Sequence, residues 1–234
     1  DEPTHKWGRK GTRFSVPRYV RAMGTGHENP LGRKEKPESI AFVLQILVDV
    51  SGSMMSESER IENAVRACIA TCEAAKKYNI HIEILANDDG NITTSSKYLI
   101  KGFSDPYDGR TKSNVVSMLN AFGGDNKDAD AIEAALPRLK SKMQRIRGEV
   151  DRAGSLMVYI SDSTTQEIAT KIAADDARKY TPFEGTAITP DGGIPAQVKY
   201  HFGENSIITR SLDEFPSVFG KILQRHIVRL KPRE

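Results

Sequence analysis

An open, mostly parallel α/β sheet, doubly wound with helices on both faces and carrying one antiparallel edge strand, is the fold this chain predicts. Three observations carry that expectation. Ile40 to Val50 is almost unbroken apolar (Ile40, Phe42, Val43, Leu44, Ile46, Leu47, Val48) and rich in β-branched residues. A run of that length, apolar on both faces, suits a central strand of a parallel sheet covered from both sides. Ile61, Ala64, Val65, Cys68, Ile69, Cys72 and Ala75 then recur at helical spacing, with Lys76 and Lys77 where the helix dipole favours cations. From there to the end, strand-like and helix-like segments alternate, as a doubly wound sheet requires.

The elements follow in order. Gly and Pro punctuate residues 1–38, where only Ser15 to Met23 has a helical look, with Ser15 as a cap and Pro17 in the first turn. Ile80 to Ala86 is a second strand. Asp88-Asp89-Gly90-Asn91 supplies turn chemistry, and Lys97 to Phe103 is a third strand joined to the second as a hairpin. A short helix is expected over Val115 to Phe122, and a longer one from Asp128 to Arg147 despite Pro137. Leu156 to Ser161 is a fourth strand ending in Asp162, followed by an amphipathic helix over Thr165 to Tyr180. Gly185 to Thr189 and Ser206 to Thr209 are strands around a short helix at Pro195 to Tyr200, and Leu212 to Val228 closes the chain as a helix.

Composition sets the outer limits. With 234 residues, 38% of them hydrophobic and 28% charged, the chain is ordinary globular material whose core needs neither disulfides nor a structural metal. No stretch approaches the roughly 18 apolar residues of a membrane span, and the N-terminus lacks a signal-peptide pattern, so no membrane role is expected. The chain opens on Asp1 without a Met, which fits a processed or excised fragment. Cys68 and Cys72 lie four apart with no second pair to complete a metal site, and suit small buried helix positions. Free cysteines fit a reducing compartment, hence a cytoplasmic setting.

Charge is unevenly placed. Residues 1–38 hold nine basic side chains against five acidic ones, a net +4, leaving the rest at −1 of the chain's +3. We therefore divide the chain into a basic N-terminal arm, 1–38, and a domain, 39–234. Such an arm suits nucleic acid or an acidic partner. Its aromatics Trp7, Phe14 and Tyr19 suit packing as readily as base stacking, which makes a solvated lead-in the plainer reading.

In sheets of this kind ligands bind beyond the carboxyl ends of the strands. Asp49, Ser51 and Ser53 stand at the end of the first strand and Asp162 at the end of the fourth. Between them in sequence, Gly123-Gly124-Asp125-Asn126-Lys127-Asp128 opens a helix. Three loops thus bring hard oxygen donors to one edge. Mg²⁺ or Mn²⁺ wants about six oxygens and usually keeps several waters. The i, i+2, i+4 spacing lets Asp49, Ser51 and Ser53 face one point from an extended turn, with Gly52 permitting a tight backbone path. A site with incomplete protein coordination leaves a position for an outside ligand, such as a carboxylate from a partner protein.

This constellation resembles the metal-ion-dependent adhesion site of von Willebrand factor A (VWA) domains, which have a Rossmann-like fold: Asp-x-Ser-x-Ser after the first strand, a Thr in a second loop, an Asp after the fourth strand. The resemblance covers roughly residues 39–230. Two positions depart from it: Asn126 stands where many members have Thr, and Ser163 follows Asp162 where Gly is common. The second loop, Asn126-Lys127-Asp128-Ala129-Asp130-Ala131-Ile132, and the basic stretch Leu31-Gly32-Arg33-Lys34 ahead of the first strand are similar to the VWA domain of cobaltochelatase CobT subunits. The resemblance implies Mg²⁺ (or Mn²⁺ or Ca²⁺) held by Asp49, Ser51, Ser53 and Asp162, with Asn126 or Asp128 from the second loop. It also implies a non-catalytic subunit working beside a AAA+ ATPase of the MoxR or chelatase kind, metal chelatase assembly being one version of that role. No G-x-x-x-x-G-K-[ST] loop makes the chain itself an ATPase.

Other readings fare worse. Asp125 to Asp130 superficially looks like an EF-hand loop, but Lys127 occupies a ligand position and the required Gly is missing. A phosphatase using Asp49 as nucleophile needs a second Asp where Ser51 stands. His5, His27, His81, His201 and His226 neither cluster nor meet at strand ends. A VWA domain without metal, used only for protein contacts, is the structural alternative. A nucleic-acid-associated scaffold using the basic arm is the functional one.

Overall fold

The computed structural model describes residues 5–8, 13–14, 31–34, 39–56, 58–76, 79–87, 99–120, 127–162, 168–188, 195–203, 206–209 and 215–228. The chain divides into two compact units, Asp1–Ser39 and Ile40–Glu234. In the first, strands β1 (His5–Gly8), β2 (Arg13–Phe14) and β3 (Leu31–Lys34) form an antiparallel sheet in the order β1-β3-β2. Strands of two to four residues are too short to show alternation in sequence, which is why they went unanticipated. The helix expected over Ser15 to Met23 lies outside the described residues.

The second unit is built on a six-stranded sheet of β4 (Ile40–Asp49), β5 (Ile80–Asn87), β6 (Leu99–Lys101), β7 (Arg152–Ser161), β8 (Phe183–Ile188) and β9 (Ile207–Thr209), in the order β6-β5-β4-β7-β8-β9. Only β6 runs antiparallel, against β5. The expected architecture is therefore the observed one. Strand β4 is central, and the strand order turns back on itself between β4 and β7.

Alternation along β4 separates two cores. Phe42, Leu44, Ile46 and Val48 pack with the buried face of helix α2 (Ser58–Ala75), where Ile61, Ala64, Val65, Cys68 and Cys72 recur at helical spacing. A short helix, α1 (Gly52–Ser56), precedes α2. Cys68 and Cys72 are free and buried, and burial pushes both thiols up, Cys72 to about 11, so neither is poised as a thiolate ligand. On the opposite face Ala41, Val43 and Leu47 meet Ile132, Ala135, Leu139 and Met143 of α4 (Asp128–Glu149) and Ala173, Ala174 and Ala177 of α5 (Ile168–Arg178).

One polar side chain interrupts that second face. Gln45 is fully buried, and its Nε2 donates to Glu83 Oε2 at 2.8 Å and to the Ala135 carbonyl at 2.9 Å. Arg138 closes the cluster by donating through Nε and Nη2 to Glu83 Oε1 at 3.1 and 2.6 Å. A buried carboxylate is tolerable only when paired and hydrogen-bonded in this way.

Helix α3 (Gly109–Val116), with a 3₁₀ turn over Ser117–Asn120, starts well before the expected Val115. Asp108 caps it by accepting from the Thr111 N–H at 2.9 Å, so an Asp-Gly pair that looks like a turn is in fact a helix start. Helices α6 (Pro195–Phe202) and α7 (Phe215–Val228) complete the unit, and Ile222 of α7 enters the core beside α2. His226 of α7 lies 2.5 Å from Glu184 of β8, a satisfied core histidine.

Candidate metal centre

Parallel register decides what meets at the carboxyl edge of the sheet. Asp49 is the last residue of β4 and pairs in register with Asn87, the last of β5. Ser161 ends β7, and Asp162 follows it. The edge lies where the strand order reverses, the crevice in which open α/β sheets bind ligands.

Asp49 is completely buried, yet both its oxygens accept hydrogen bonds. Oδ1 takes the Ser51 N–H at 2.8 Å and Oδ2 takes the Ser161 hydroxyl at 2.8 Å. The Ser51 and Ser53 hydroxyl oxygens lie 3.1 Å apart. The loop between them is not the extended turn expected from the i, i+2, i+4 spacing. Gly52 begins α1, and the Ser51 carbonyl accepts the Met55 N–H at 3.1 Å, so Ser53 is carried on a helical turn. Ser51 stands just ahead of that helix, outside its helical spacing, and the seryl oxygens still meet.

Asp128, the first residue of α4, sits in the turn where the helix dipole favours a carboxylate. It is 1% exposed and accepts a hydrogen bond from the Tyr159 hydroxyl, which in turn accepts from Asn87 Nδ2 at 3.0 Å. Asn126, the other second-loop candidate, lies outside the described residues, as does Ser163. Asp162 is 3% exposed; its Oδ2 accepts from Arg60 Nη1 at 3.1 Å, and its Oδ1 is buried with no hydrogen-bond partner among the described residues. Arg60 also donates to the Ser53 carbonyl at 3.3 Å.

The electrostatics follow from crowding acids in a dry edge. Burial above all, then the neighbouring charge of Asp128 and to a smaller degree that of Asp162, pushes the Asp49 carboxyl up to about 7. The Tyr159 hydroxyl is pushed well above its ordinary range by burial and by the charges of Asp128 and Asp49, so it stays a donor. Three buried carboxylates in one place call for positive charge.

Among the described residues no cluster of three or more His, Cys, Asp and Glu side chains is arranged to hold a metal by itself. The donor set here is mixed: Asp49, Ser51, Ser53, Asp128 and Asp162, all oxygen. It fits a hard divalent cation, because the orphaned Asp162 Oδ1 and the strained charge on Asp49 are both what such an ion relieves. Ser161, Asn87, Tyr159 and Arg60 were not anticipated. The first two carry a signal, a polar residue at the end of an apolar strand; Arg60 carries none, since one arginine on a helix looks like any solvated charge.

Tyr159→Phe isolates the role of the network. It strands the buried Asp128 without that donor, and should lower stability by about 1–3 kcal/mol in urea unfolding with EDTA present. A change below about 0.5 kcal/mol would mean Asp128 draws nothing from the phenol.

By sequence the chain matches no family model and no curated protein. By fold it matches many solved structures. One is the pilus adhesin SpaC from Lactobacillus rhamnosus GG, with a TM-score of 0.63, 9% identity, and coverage of 85% of this chain and 32% of that one. A von Willebrand factor type A protein from Catenulispora acidiphila gives 0.55 and 13% identity, over 82% of this chain and 42% of its own. Proximal thread matrix protein 1 from the mussel byssus, solved with a zinc-occupied metal-ion-dependent adhesion site, gives 0.54 and 12% identity, over 79% and 45%. The chain thus spans less than half the length of each of these three. At such identities the likeness is one of fold, and the fold is that of VWA-type domains.

Proposed function

We propose that this chain is a divalent-cation-dependent protein-interaction module, holding Mg²⁺ (or Mn²⁺ or Ca²⁺) through Asp49, Ser51, Ser53 and Asp162 with Asp128 or Asn126 behind or beside them. The observation that carries the reading is the convergence of Asp49, Asp128 and Asp162, all buried, with the paired Ser51 and Ser53 hydroxyls at the switch point of a VWA-type sheet. The zinc-occupied site in the mussel protein of the same fold supports it. The cation would supply a Lewis-acidic point of attachment, and the protein's own oxygens leave a position for a carboxylate from the partner. Titration of the full chain with Mn²⁺ tests the site: one ion should bind to the wild type and none to the Ser51→Ala, Ser53→Ala double variant. Equal heats from the two would sink the assignment.

The partner we propose is a AAA+ ATPase subunit of the MoxR or chelatase kind, in a cytoplasmic assembly where Cys68 and Cys72 stay reduced; metal chelatase assembly is one form of this. The similarity of the second loop to CobT-type domains is its support. No helix among the described residues is long and apolar enough to cross a membrane. Retention of the ATPase on the immobilised chain in Mg²⁺ and its release by EDTA are the expected results; EDTA-insensitive retention would refute the cation-bridged contact. A second reading rests on the basic arm: its net +4 suits nucleic acid, and binding would then weaken steeply with salt and vanish on deleting residues 1–38.

A further inference from the structure

Arg60 stands in the first turn of α2, where the helix dipole disfavours a cation. Its side chain is only 11% exposed, and Nη1 is shared between the Ser53 carbonyl and Asp162 Oδ2. Both contacts belong to the candidate metal centre: one is the backbone of a seryl donor, the other a carboxylate donor. The guanidinium therefore already does part of what a metal would do, neutralising Asp162 from the edge of the site. It does so incompletely, since Asp162 Oδ1 has no hydrogen-bond partner among the described residues.

We infer that Arg60 is a built-in counter-cation: it holds Asp162 in the metal-free protein and is displaced from that carboxylate when a divalent ion binds, so that it sets the affinity of the site. The inference rests on the proposed cation site. A dication coordinated by Asp162 would sit beside a guanidinium on the same carboxylate, and like charges at that range repel strongly in a poorly hydrated edge. The two ligands of Asp162 are not equally replaceable. A metal satisfies the carboxylate through either oxygen, and the arginine, at the margin of the site on a flexible stem, can turn its head to water. The exchange leaves no buried charge unpaired, which is the condition for it to be reversible. Two consequences follow. The site fills at a higher cation concentration than its oxygen set alone would require, and the metal-free form stays folded around its buried acids.

Mn²⁺ is the probe, titrated into the full chain by calorimetry and by electron paramagnetic resonance, with wild type, Arg60→Gln, Arg60→Met and Asp49→Ala compared. Arg60→Gln and Arg60→Met should each bind Mn²⁺ about tenfold more tightly than wild type, the effect of removing a competitor worth about 1.4 kcal/mol. Thermal melts give an independent readout. In EDTA both variants should melt below wild type, having lost the Asp162 partner, and in saturating Mn²⁺ the gap should close or reverse. Mn²⁺ binding that is lost in Asp49→Ala but unchanged or weakened in both Arg60 variants overturns the role of Arg60 and leaves the metal site standing. No Mn²⁺ binding by wild type or by either Arg60 variant overturns both.

Discussion

Asp49→Asn should abolish Mg²⁺ and Mn²⁺ binding and, in the same step, make the metal-free protein more stable at pH 8. The two effects have one origin. The Asp49 carboxyl is pushed from 3.8 to about 7 by burial and by Asp128, so the folded chain holds a proton that the unfolded chain has released. Between about pH 4 and pH 7 the folded state binds more protons than the unfolded one, and stability must fall as pH rises through that window. Below pH 4 this contribution is fully present; above 7 it is lost, a difference on the order of 4 kcal/mol for a shift of that size. Asparagine is neutral throughout. Its oxygen can still accept the Ser51 N–H, and its amide can donate to the Ser161 hydroxyl oxygen, so the hydrogen bonds to Ser51 N–H and Ser161 have counterparts. Urea unfolding in EDTA at pH 5 and pH 8 should show the wild type weakening with pH, with the variant lacking that slope. A variant that is less stable than wild type at pH 8 would mean that the buried charge is already compensated.

Gly185→Ala should produce the largest loss of stability of any glycine-to-alanine change among the described residues. Gly185 lies in β8 opposite Tyr159, and a Cβ built there would fall 2.1 Å from Phe202 Cγ and 2.3 Å from Phe202 Cβ. Those atoms are not the loose end of a side chain. Phe202 is 1% exposed in α6, with its ring centroid 5.5 Å from that of Tyr159 and 6.0 Å from that of Phe183. Relief requires α6 to lift or the ring stack to rearrange, and overpacking of this sort costs about 3 kcal/mol or more. Because Tyr159 is in that stack and its hydroxyl reaches Asp128, Mn²⁺ affinity should fall as well. A loss under about 1 kcal/mol in urea unfolding would show that α6 yields easily.

How much of this was legible beforehand depends on the kind of interaction. Strand β4 was plain because a long run apolar on both faces suits little except a strand covered from both sides. Asp49 and Asp162 were plain because a carboxylate directly after such a strand stands at the ligand-binding edge of the sheet. What stayed hidden needed register. Asn87 matters because it lies opposite Asp49, and nothing in Ile80 to Asn87 says where that strand stops relative to β4. Tyr159 looked like one more core aromatic; its hydroxyl acquires a role only when α4 brings Asp128 over β7. Arg60 was invisible for the same reason, its partner Asp162 being 102 residues away. The turn at Ser51 to Ser53 departs from the expected extended loop because spacing alone does not distinguish such a loop from the first turn of a helix.

The buried amide of Gln45 has a bearing on folding fidelity that its hydrogen bonds alone do not convey. An all-aliphatic β4 could slide by one residue between β5 and β7 and still present grease to both layers. With Gln45 in place, such a slip would thrust its amide among Ile84 and Val158 and their neighbours on the α2 side, away from Glu83 and the Ala135 carbonyl. Stranding that amide costs several kcal/mol, so misaligned sheets are rejected early. The glutamine works as an indexing pin, and the part it indexes lies four residues further along: the height at which Asp49 emerges at the rim.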